Sequence, residues 1–471
     1  MESIVTNEEI ERQRALVFGE HPGINIVAPC RLNEGVIRHS NFERKKFELS
    51  FLHSTSVVKY FIPASGSGSR MFQFLYDFLA DPSEETRSKT ERFLNAIQDF
   101  AFFELLPFEL KEKVRNYSID LDEFVSYLLK EEGLGLGLMP KGLLPFHRSR
   151  SFILNAFQEQ LLQGLRIREK DISFHFTINP NFEGKIKRTL TSIQELTGRQ
   201  LDIGLSSQDP QTNAIAFDDE QLTVNDSDGN LLTRPSGHGA LLKNLNEQDA
   251  DIIFIKNIDN VQHESQSDKS VDIMRYLGGL LETFKSQLND AIQEEDRSKL
   301  LSELNMDYQF MSKDFDFSSL DFQAIEQLLN RPIRVCGMVR NEGQPGGGPF
   351  WVEENGMRTK QIVEKSQINM KGDQYRLMVQ SQYFNPVLMA VSTRDLSGKK
   401  LDLENFKDDS KYFVVDKKYE GKPIKFMERP GLWNGSMSKW LTVFVEVPSE
   451  TFTPVKTVLD LLTPAHRDLD D

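Results

Sequence analysis

The sequence predicts an α/β protein: a mostly parallel sheet with helices on both faces, helical insertions, and an α+β C-terminal part. Short apolar runs read as buried strands at 58–63 ("VKYFIP"), 171–179 ("DISFHFTIN") and 250–259 ("ADIIFIKNID"). Helical patterns at 150–165, 182–197 and 238–247 alternate with them, and that alternation is the pattern of parallel βαβ units. The loops richest in ligand-binding residue types also follow strands, where sheets of this kind place their sites.

Composition bounds the rest. The chain has 471 residues, 39% of them hydrophobic, with 34 Phe, enough for a large core with appended parts. Its net charge of −15 argues against nucleic-acid binding and against an anionic membrane surface, both of which need basic patches. Two cysteines, Cys30 and Cys336, give no disulfide framework and no metal-ligand spacing, as expected in a reducing cytoplasm. "MESIVTNEEIERQRALVFGE" lacks the basic start and apolar core of a signal peptide. No apolar run approaches the ~20 residues of a membrane span. The expectation is a soluble, cytoplasmic protein.

In chain order, Thr6 and Glu9 form a capping-box pattern that opens a short polar helix within an N-terminal arm, 1–50. Two segments read as helical insertions, 72–132 and 264–330. Their apolar stripes at i, i+3 and i+4 are packing faces rather than cofactor sites. From 331 strand patterns return, at 333–341, 348–356, 358–368, 375–392 and 440–448. No internal repeat and no low-complexity tract is present.

Five stretches carry chemistry. "PASGSGSRM" follows the first strand with Ala64, Ser65, Gly66, Gly68 and Arg70. Glycines let backbone approach a ligand, loop and helix-start N–H groups point at anions, and arginine forks onto phosphate oxygens. The loop is neither a P-loop nor a dinucleotide fingerprint, and on its own it also fits a plain connection. "MPKGLLPF" offers Lys141, which read in isolation is a solvated lysine in a proline-bounded turn. Gln208 is a reader of a base edge or an ordinary loop amide. Gly237 and His238, in "RPSGHGAL", open a helix with backbone N–H groups and a ring. Past the third strand come Asn257, Asp259 and Asn260. Asp259, with no basic partner nearby in sequence, either holds a hard divalent cation or caps the next turn.

The order of these pieces resembles the UDP-sugar pyrophosphorylases: small residues plus Arg, Pro-Lys, Gln, Gly-His-Gly, then Asn-x-Asp-Asn, each at a strand exit. Over roughly 50–465 the chain is more closely similar to a bacterial family described as a domain of unknown function. That similarity rests on "PASGSGSRM", "PKGLLPF", "RPSGHGAL", "RVCGMVRNEGQPGGGPFW" and "ERPGLWNGSMSKW". The resemblance implies a Rossmann-like sheet of the nucleotide-diphospho-sugar transferase type. It divides the chain into a nucleotide-binding half, 51–263, and a sugar-binding half with the C-terminal part, 331–471. The chain departs from that pattern in three places. Ala64-Ser65-Gly66 stands where two consecutive glycines are usual, the 72–132 insertion separates Arg70 from Lys141, and Gly343–Gly348 has no counterpart.

The reaction implied is attack of a sugar 1-phosphate on the α-phosphorus of UTP, with pyrophosphate leaving. Arg70 and Lys141 would neutralise phosphate charge, and Asp259 would hold Mg²⁺. Gln208 and the Gly237 backbone would read the base, and Glu364 in "QIVEKSQI" and Asn385 in "YFNPVLMAVS" would take sugar hydroxyls. One of Lys417, Lys418 and Lys425 would meet the sugar phosphate. The partners are therefore UTP and a sugar 1-phosphate, with no nucleic acid, no membrane and no stated oligomer. Two rival classes are a transferase using another NTP or a non-sugar acceptor, and a catalytically inactive nucleotide or nucleotide-sugar binding protein.

Overall fold

The apolar runs become strands where the sequence places them, with ends trimmed: Val58–Pro63, Ile172–Thr177 and Ile252–Lys256. The computed structural model describes residues 5–20, 23–343, 346–354 and 356–468. Gln344 and Pro345 of the Gly343–Gly348 stretch, Asn355 of the strand expected at 348–356, and the ends of the N-terminal arm and the C-terminal part lie outside the described residues. The chain forms two compact units: Met1–Lys59, Gln208–Ile255 and Met274–Ser449 make one, and Tyr60–Ser207, Lys256–Ile273 and Glu450–Asp471 the other. Among the described residues no helix is long and apolar enough to cross a membrane.

In the first unit, strands Arg31–Leu32, Gly35–Ile37, Leu441–Glu446, Ile333–Arg340, Leu388–Ser392 and Ile252–Lys256 are neighbours in that order. Ile333–Arg340 runs parallel to Leu441–Glu446 but antiparallel to Leu388–Ser392, so the sheet here is mixed where a mostly parallel one was predicted. A parallel return needs a crossover across the sheet. The chain between these two strands instead builds a small antiparallel sheet from Gly348–Glu354 and Met357–Val363, completed by Ile26–Pro29. The single strand expected at 375–392 is also divided, into helix Gln374–Val379 and strands Tyr383–Phe384 and Leu388–Ser392. Pro386 has no N–H to give a ladder. The Asn385 N–H turns to Gly347 O at 2.9 Å, and Val387 takes a left-handed φ of 59°.

Thr6 caps helix Asn7–Phe18 as read, accepting from the Glu9 N–H at 3.2 Å. Glu9 turns its own carboxylate to Arg12 and Gln13. The second insertion begins with helix Asp268–Gln293, whose Gly278-Gly279 pair lets helix Asn41–His53 pack backbone-close. A Cβ on Gly279 would lie 1.9 Å from Phe47 O.

In the second unit, Val58–Pro63, Ile172–Thr177 and Ile203–Ser206 are successive neighbours, the last two parallel. The helix expected at 150–165 starts later, as Ala156–Ile167, because Asn155 forms a capping box with Gln158 and the residues before it complete a hairpin, Pro145–Ser149 with Phe152–Asn155. The helix expected at 238–247, in the first unit, opens as a 3-10 turn, His238–Leu241, before Leu242–Asn246. The 72–132 insertion folds as helices Gln73–Ala80, Glu84–Asn95, Phe108–Arg115 and Leu121–Leu129.

Gly279→Ala sets helix propensity against sterics. The obstacle is a backbone oxygen that cannot rotate away, so the variant is expected to lose about 1–3 kcal/mol. Gly184→Ala in helix Glu183–Thr197, where the nearest atom to the new Cβ is Arg188 Nη1 at 4.0 Å, should gain about 0.4–1 kcal/mol. Urea midpoints of the two variants check both signs, and equal shifts would refute the packing argument.

Candidate functional site

In the second unit the site starts where strand Val58–Pro63 ends. The buried Ala64 donates its N–H to Thr177 O at 2.9 Å, which seats the base of the Gly/Ser loop. Ser65, Gly66 and Arg70 are exposed and Gly68 is buried. A Cβ on Gly68 would lie 2.8 Å from both Leu144 and Met139 O, so only glycine fits there. The loop pairs backbone to backbone with the Pro-Lys turn: Gly68 N–H donates to Met139 O at 2.9 Å and Lys141 N–H to Gly66 O at 3.0 Å. Arg70 and Lys141, far apart in sequence, therefore belong to one local structure.

Lys141 Nζ donates to Asp259 Oδ2 at 3.0 Å and to Val455 O at 2.8 Å. Lys456 Nζ reaches the same carboxylate oxygen at 3.4 Å. The sequence reading of Asp259 as a carboxylate without a basic partner is thereby corrected, since its two lysines come from distant segments and no local pattern reveals them. Asp259 is 6% exposed. Burial opposes its charge, but Lys141 and Lys456 outweigh burial and hold its pKa below the ordinary value. Burial depresses the pKa of Lys141, which Asp259 only partly offsets. Asp259 Oδ1 takes no hydrogen bond among the described residues, so one hard oxygen remains for a cation.

Lys456 was missed by sequence reasoning. The available signal was the Thr457-x-x-Asp460 cap that follows it: Asp460 Oδ2 accepts from the Lys456 and Thr457 N–H groups at 2.8 and 2.6 Å. The Asp259 turn grips the same segment, with Thr453 N–H on Asn260 Oδ1 at 3.0 Å and Val455 N–H on Asp259 O at 3.1 Å.

Helix Ala156–Ile167 supports this turn from below with a buried polar face. Gln160 Nε2 donates to Asn257 O and Ile258 O at 2.9 and 3.3 Å, and Gln163 Nε2 to Gln262 O at 2.9 Å. Outside that buried face, the exposed Arg166 donates from Nη1 to Glu264 O at 2.9 Å. Carbonyls that leave the sheet need donors when buried, and this helix supplies them.

In the first unit a second cluster forms around His238. Its Nδ1 accepts the Leu432 N–H at 2.8 Å, which leaves the proton of the neutral ring on Nε2. That atom faces Glu364 Oε1 at 3.7 Å. The ring stacks on Trp433, centroids 4.0 Å apart and planes 13° apart. Gly237, at φ 64°, would press a Cβ to 2.6 Å from Glu428 Oε2. Asn385 is buried, with Oδ1 accepting its own turn's Val387 N–H at 3.1 Å. Nearby in this unit, Asn434 donates to Ile362 O at 2.9 Å, and its buried Oδ1 has no partner among the described residues. Sequence reading passed over that acceptor.

The remaining expectations are placed as follows. The Gln208 amide donates to Thr212 Oγ1 at 3.4 Å, the geometry of a loop amide. Lys425 pairs with Asp416, Lys417 lies over the Phe426 ring at 5.4 Å, and Lys418 is exposed, all on the hairpin Phe413–Tyr419 with Lys422–Glu428.

Asp259→Asn strands Lys141, whose side chain is 15% exposed. Removing one partner of a buried pair costs about 3–5 kcal/mol, and the lower end applies because Lys456 is half exposed. The folded pKa of Asp259 is depressed, so its contribution is present above the ordinary carboxylate range and is lost as pH falls through the folded value. The gap between wild type and Asp259→Asn in urea unfolding should be widest near neutrality and close in acid. A gap independent of pH would contradict the ion-pair account.

No curated protein matches the chain. Among solved structures it is similar to UDP-glucose phosphorylase from Trypanosoma brucei, at 14% identity and a TM-score of 0.45 over 95% of this chain and 74% of that one. It is also similar to a UDP-glucose pyrophosphorylase variant from Leishmania major in complex with UDP-Glc, at 13% identity and a TM-score of 0.44 over 97% and 74%. A family model described as "Domain of unknown function (DUF4301)" matches residues 1–467, nearly the whole chain, and the protein belongs to that family.

Proposed function

We propose that the protein is a nucleotidyltransferase that joins a sugar 1-phosphate to UTP and releases pyrophosphate. The observation that carries this reading is the pair Lys141 and Lys456 on one carboxylate, Asp259, with Arg70 near enough to Lys141 to act on its charge, inside a chain of net charge −15. Three cations against one anion leave positive charge where the Gly/Ser loop exposes its backbone, a combination suited to a polyphosphate.

In the reaction a phosphate oxygen of the sugar 1-phosphate forms a bond to the α-phosphorus of UTP. The bond from that phosphorus to the bridging oxygen breaks, and the electron pair leaves with pyrophosphate. No protein nucleophile is needed; the chain must align two polyanions and offset the charge that gathers on them. Arg70, exposed and without an ion-pair partner among the described residues, is assigned to the β- and γ-phosphates. Lys141 and Lys456 are assigned to the transferring phosphoryl group and the incoming phosphate. The free Oδ1 of Asp259 fits Mg²⁺, which typically takes one or two carboxylates plus substrate phosphates and would supply further charge neutralisation when bound. Lys456 replaces Lys417, Lys418 and Lys425 as the lysine assigned to the acceptor phosphate.

The His238 cluster suits hydroxyl recognition. Glu364, with its side chain 30% exposed, is an acceptor, and Asn385 belongs to the same assignment. Uracil is assigned to Gln208 and the Gly237 backbone. The Gln208 amide gives one N–H to Thr212, and its other N–H and its oxygen, without a partner among the described residues, are what a base edge would meet.

UTP with Mg²⁺ is expected to raise the melting temperature more than CTP, GTP or ATP at equal concentration, since ligand binding to the native state stabilises it by about 2.7 kcal/mol at a hundred times Kd. Arg70→Ala should weaken UTP binding by roughly 1.5–3 kcal/mol, the range for hydrogen bonds to charged groups, with its unfolding midpoint unchanged. Calorimetry on that variant decides the loop's role, and undiminished affinity would remove Arg70 from the site. Equal shifts with all four nucleotides would mean a site that reads phosphate only.

A further inference from the structure

Beneath the phosphate cluster lies a chain of buried titratable groups that phosphoryl transfer does not use. His147 is 1% exposed, Glu159 0% and His466 4%. Glu159 Oε1 meets His147 Nδ1 at 2.6 Å, His147 Nε2 meets His466 Nδ1 at 2.8 Å, and His466 Nε2 meets Thr453 O at 3.0 Å.

The far end fixes the direction of every hydrogen bond. A carbonyl only accepts, so His466 carries its proton on Nε2, and the Nδ1 of the neutral ring accepts from His147. His147 then carries its proton on Nε2, and its Nδ1 accepts in turn. The donor left for that nitrogen is a protonated Glu159. Its other oxygen, Oε2, is buried with no partner, tolerable for a neutral acid and far more costly for an anion. Burial pushes Glu159 up to about 8 and His147 and His466 down to about 3, the same neutral arrangement. The charged and titratable groups that face the chain leave it intact. Lys256 donates to Gln163 Oε1 at 3.0 Å, Glu264 accepts from Ser149 at 2.6 Å, and His263 bonds Ser265 and Arg148 O. Asp460 accepts from the Lys456 and Thr457 N–H groups, and Asp259 holds the two lysines.

We propose that His147, Glu159 and His466 form a neutral, one-directional hydrogen-bond relay that fixes the Thr453–Lys456 segment, making His466 a positioning residue for the phosphate cluster. The proposal rests on the transferase reading for its functional consequence and on geometry alone for the relay. Thr453 begins the segment that presents Val455 O to Lys141 and carries Lys456. When Glu159 loses its proton, His147 must move its own proton to Nδ1. Its bare Nε2 then opposes the bare Nδ1 of His466, and the tie to Thr453 weakens. A glutamine at 159 donates an N–H without titrating.

The test uses the full chain. Nitrogen-15 spectra of histidine-labelled protein at pH 7 should show His147 and His466 neutral with protons on Nε2, and an imidazolium at His147 overturns the relay. Amide exchange at Thr453, Val455 and Lys456, corrected for intrinsic rates, should be slow at pH 7. Above about pH 8 protection should fall by about tenfold per pH unit, as one lost proton requires. Glu159→Gln should keep protection flat across that range, and His466→Ala should lose it already at pH 7. Alkaline loss that persists in Glu159→Gln, or protection that persists in His466→Ala, refutes the proposal. His466→Ala should also weaken UTP–Mg²⁺ binding in calorimetry, as Lys456→Ala does. Unchanged affinity in His466→Ala alone refutes the positioning role. Unchanged affinity in both variants, with exchange behaving as expected, leaves the relay standing and refutes the transferase reading instead.

Discussion

The buried carboxylate of Asp259 is the constraint from which the second unit's site follows. A carboxylate nearly out of water is costly unless it is paired and hydrogen-bonded. The pairing uses Lys141, from the turn after the first insertion, and Lys456, from the C-terminal segment. Each lysine is then restrained by its own segment: Lys141 through Gly66 O and Val455 O, Lys456 through the Thr457–Asp460 cap. The ion cluster therefore ties four stretches of chain, and the same charges that hold them together give the stretches a use. Structure and proposed chemistry draw on one set of atoms, so a change that spares one will seldom spare the other.

A turn that leaves a sheet loses ladder partners for its carbonyls, and burying it leaves a debt of about 1–3 kcal/mol for each unmet group. Helix Ala156–Ile167 meets that need with the buried Gln160 and Gln163, at positions that fall on one helical face. Glu159 on the same face points instead at His147. This helix thus carries polar residues toward the interior, against the ordinary pattern of amphipathic helices, and the reason lies in the turn it covers.

The strands and the strand-exit motifs were legible because both are local: apolar runs bounded by small residues, then Gly, Pro-Lys, Gly-His-Gly and Asn-x-Asp-Asn. The mixed character of the first unit's sheet was not, because strand direction depends on what lies between Ile333–Arg340 and Leu388–Ser392. The division of 375–392 was marked by Pro386, whose missing N–H breaks a ladder. Lys456 and Asn434 escaped for another reason. A lysine or an asparagine has no signature of its own, and their importance comes from an oxygen placed beside them by distant chain. The buried acid–histidine chain was hidden in the same way, since His147, Glu159 and His466 share no spacing.

The 72–132 insertion shows why sequence separation is a poor guide to dismantling a motif. Closing a loop costs only about 0.6 kcal/mol for each doubling of its length, provided its ends are not forced apart. This insertion has a core of its own, with Phe93, Phe100 and Phe102 buried and the Phe93–Phe100 and Phe100–Phe102 rings 5.1 and 5.0 Å apart. A folded insertion holds its ends at fixed places, so its length no longer weighs on the residues it separates. Its ends meet at the paired loop and turn, where Gly68 and Lys141 donate to Met139 O and Gly66 O. Arg70 and Lys141 consequently act as neighbours, as they would with no insertion between them. Two of the candidate site's three cations, Arg70 and Lys141, are set by that neck, and Lys456 joins them from the C-terminal segment.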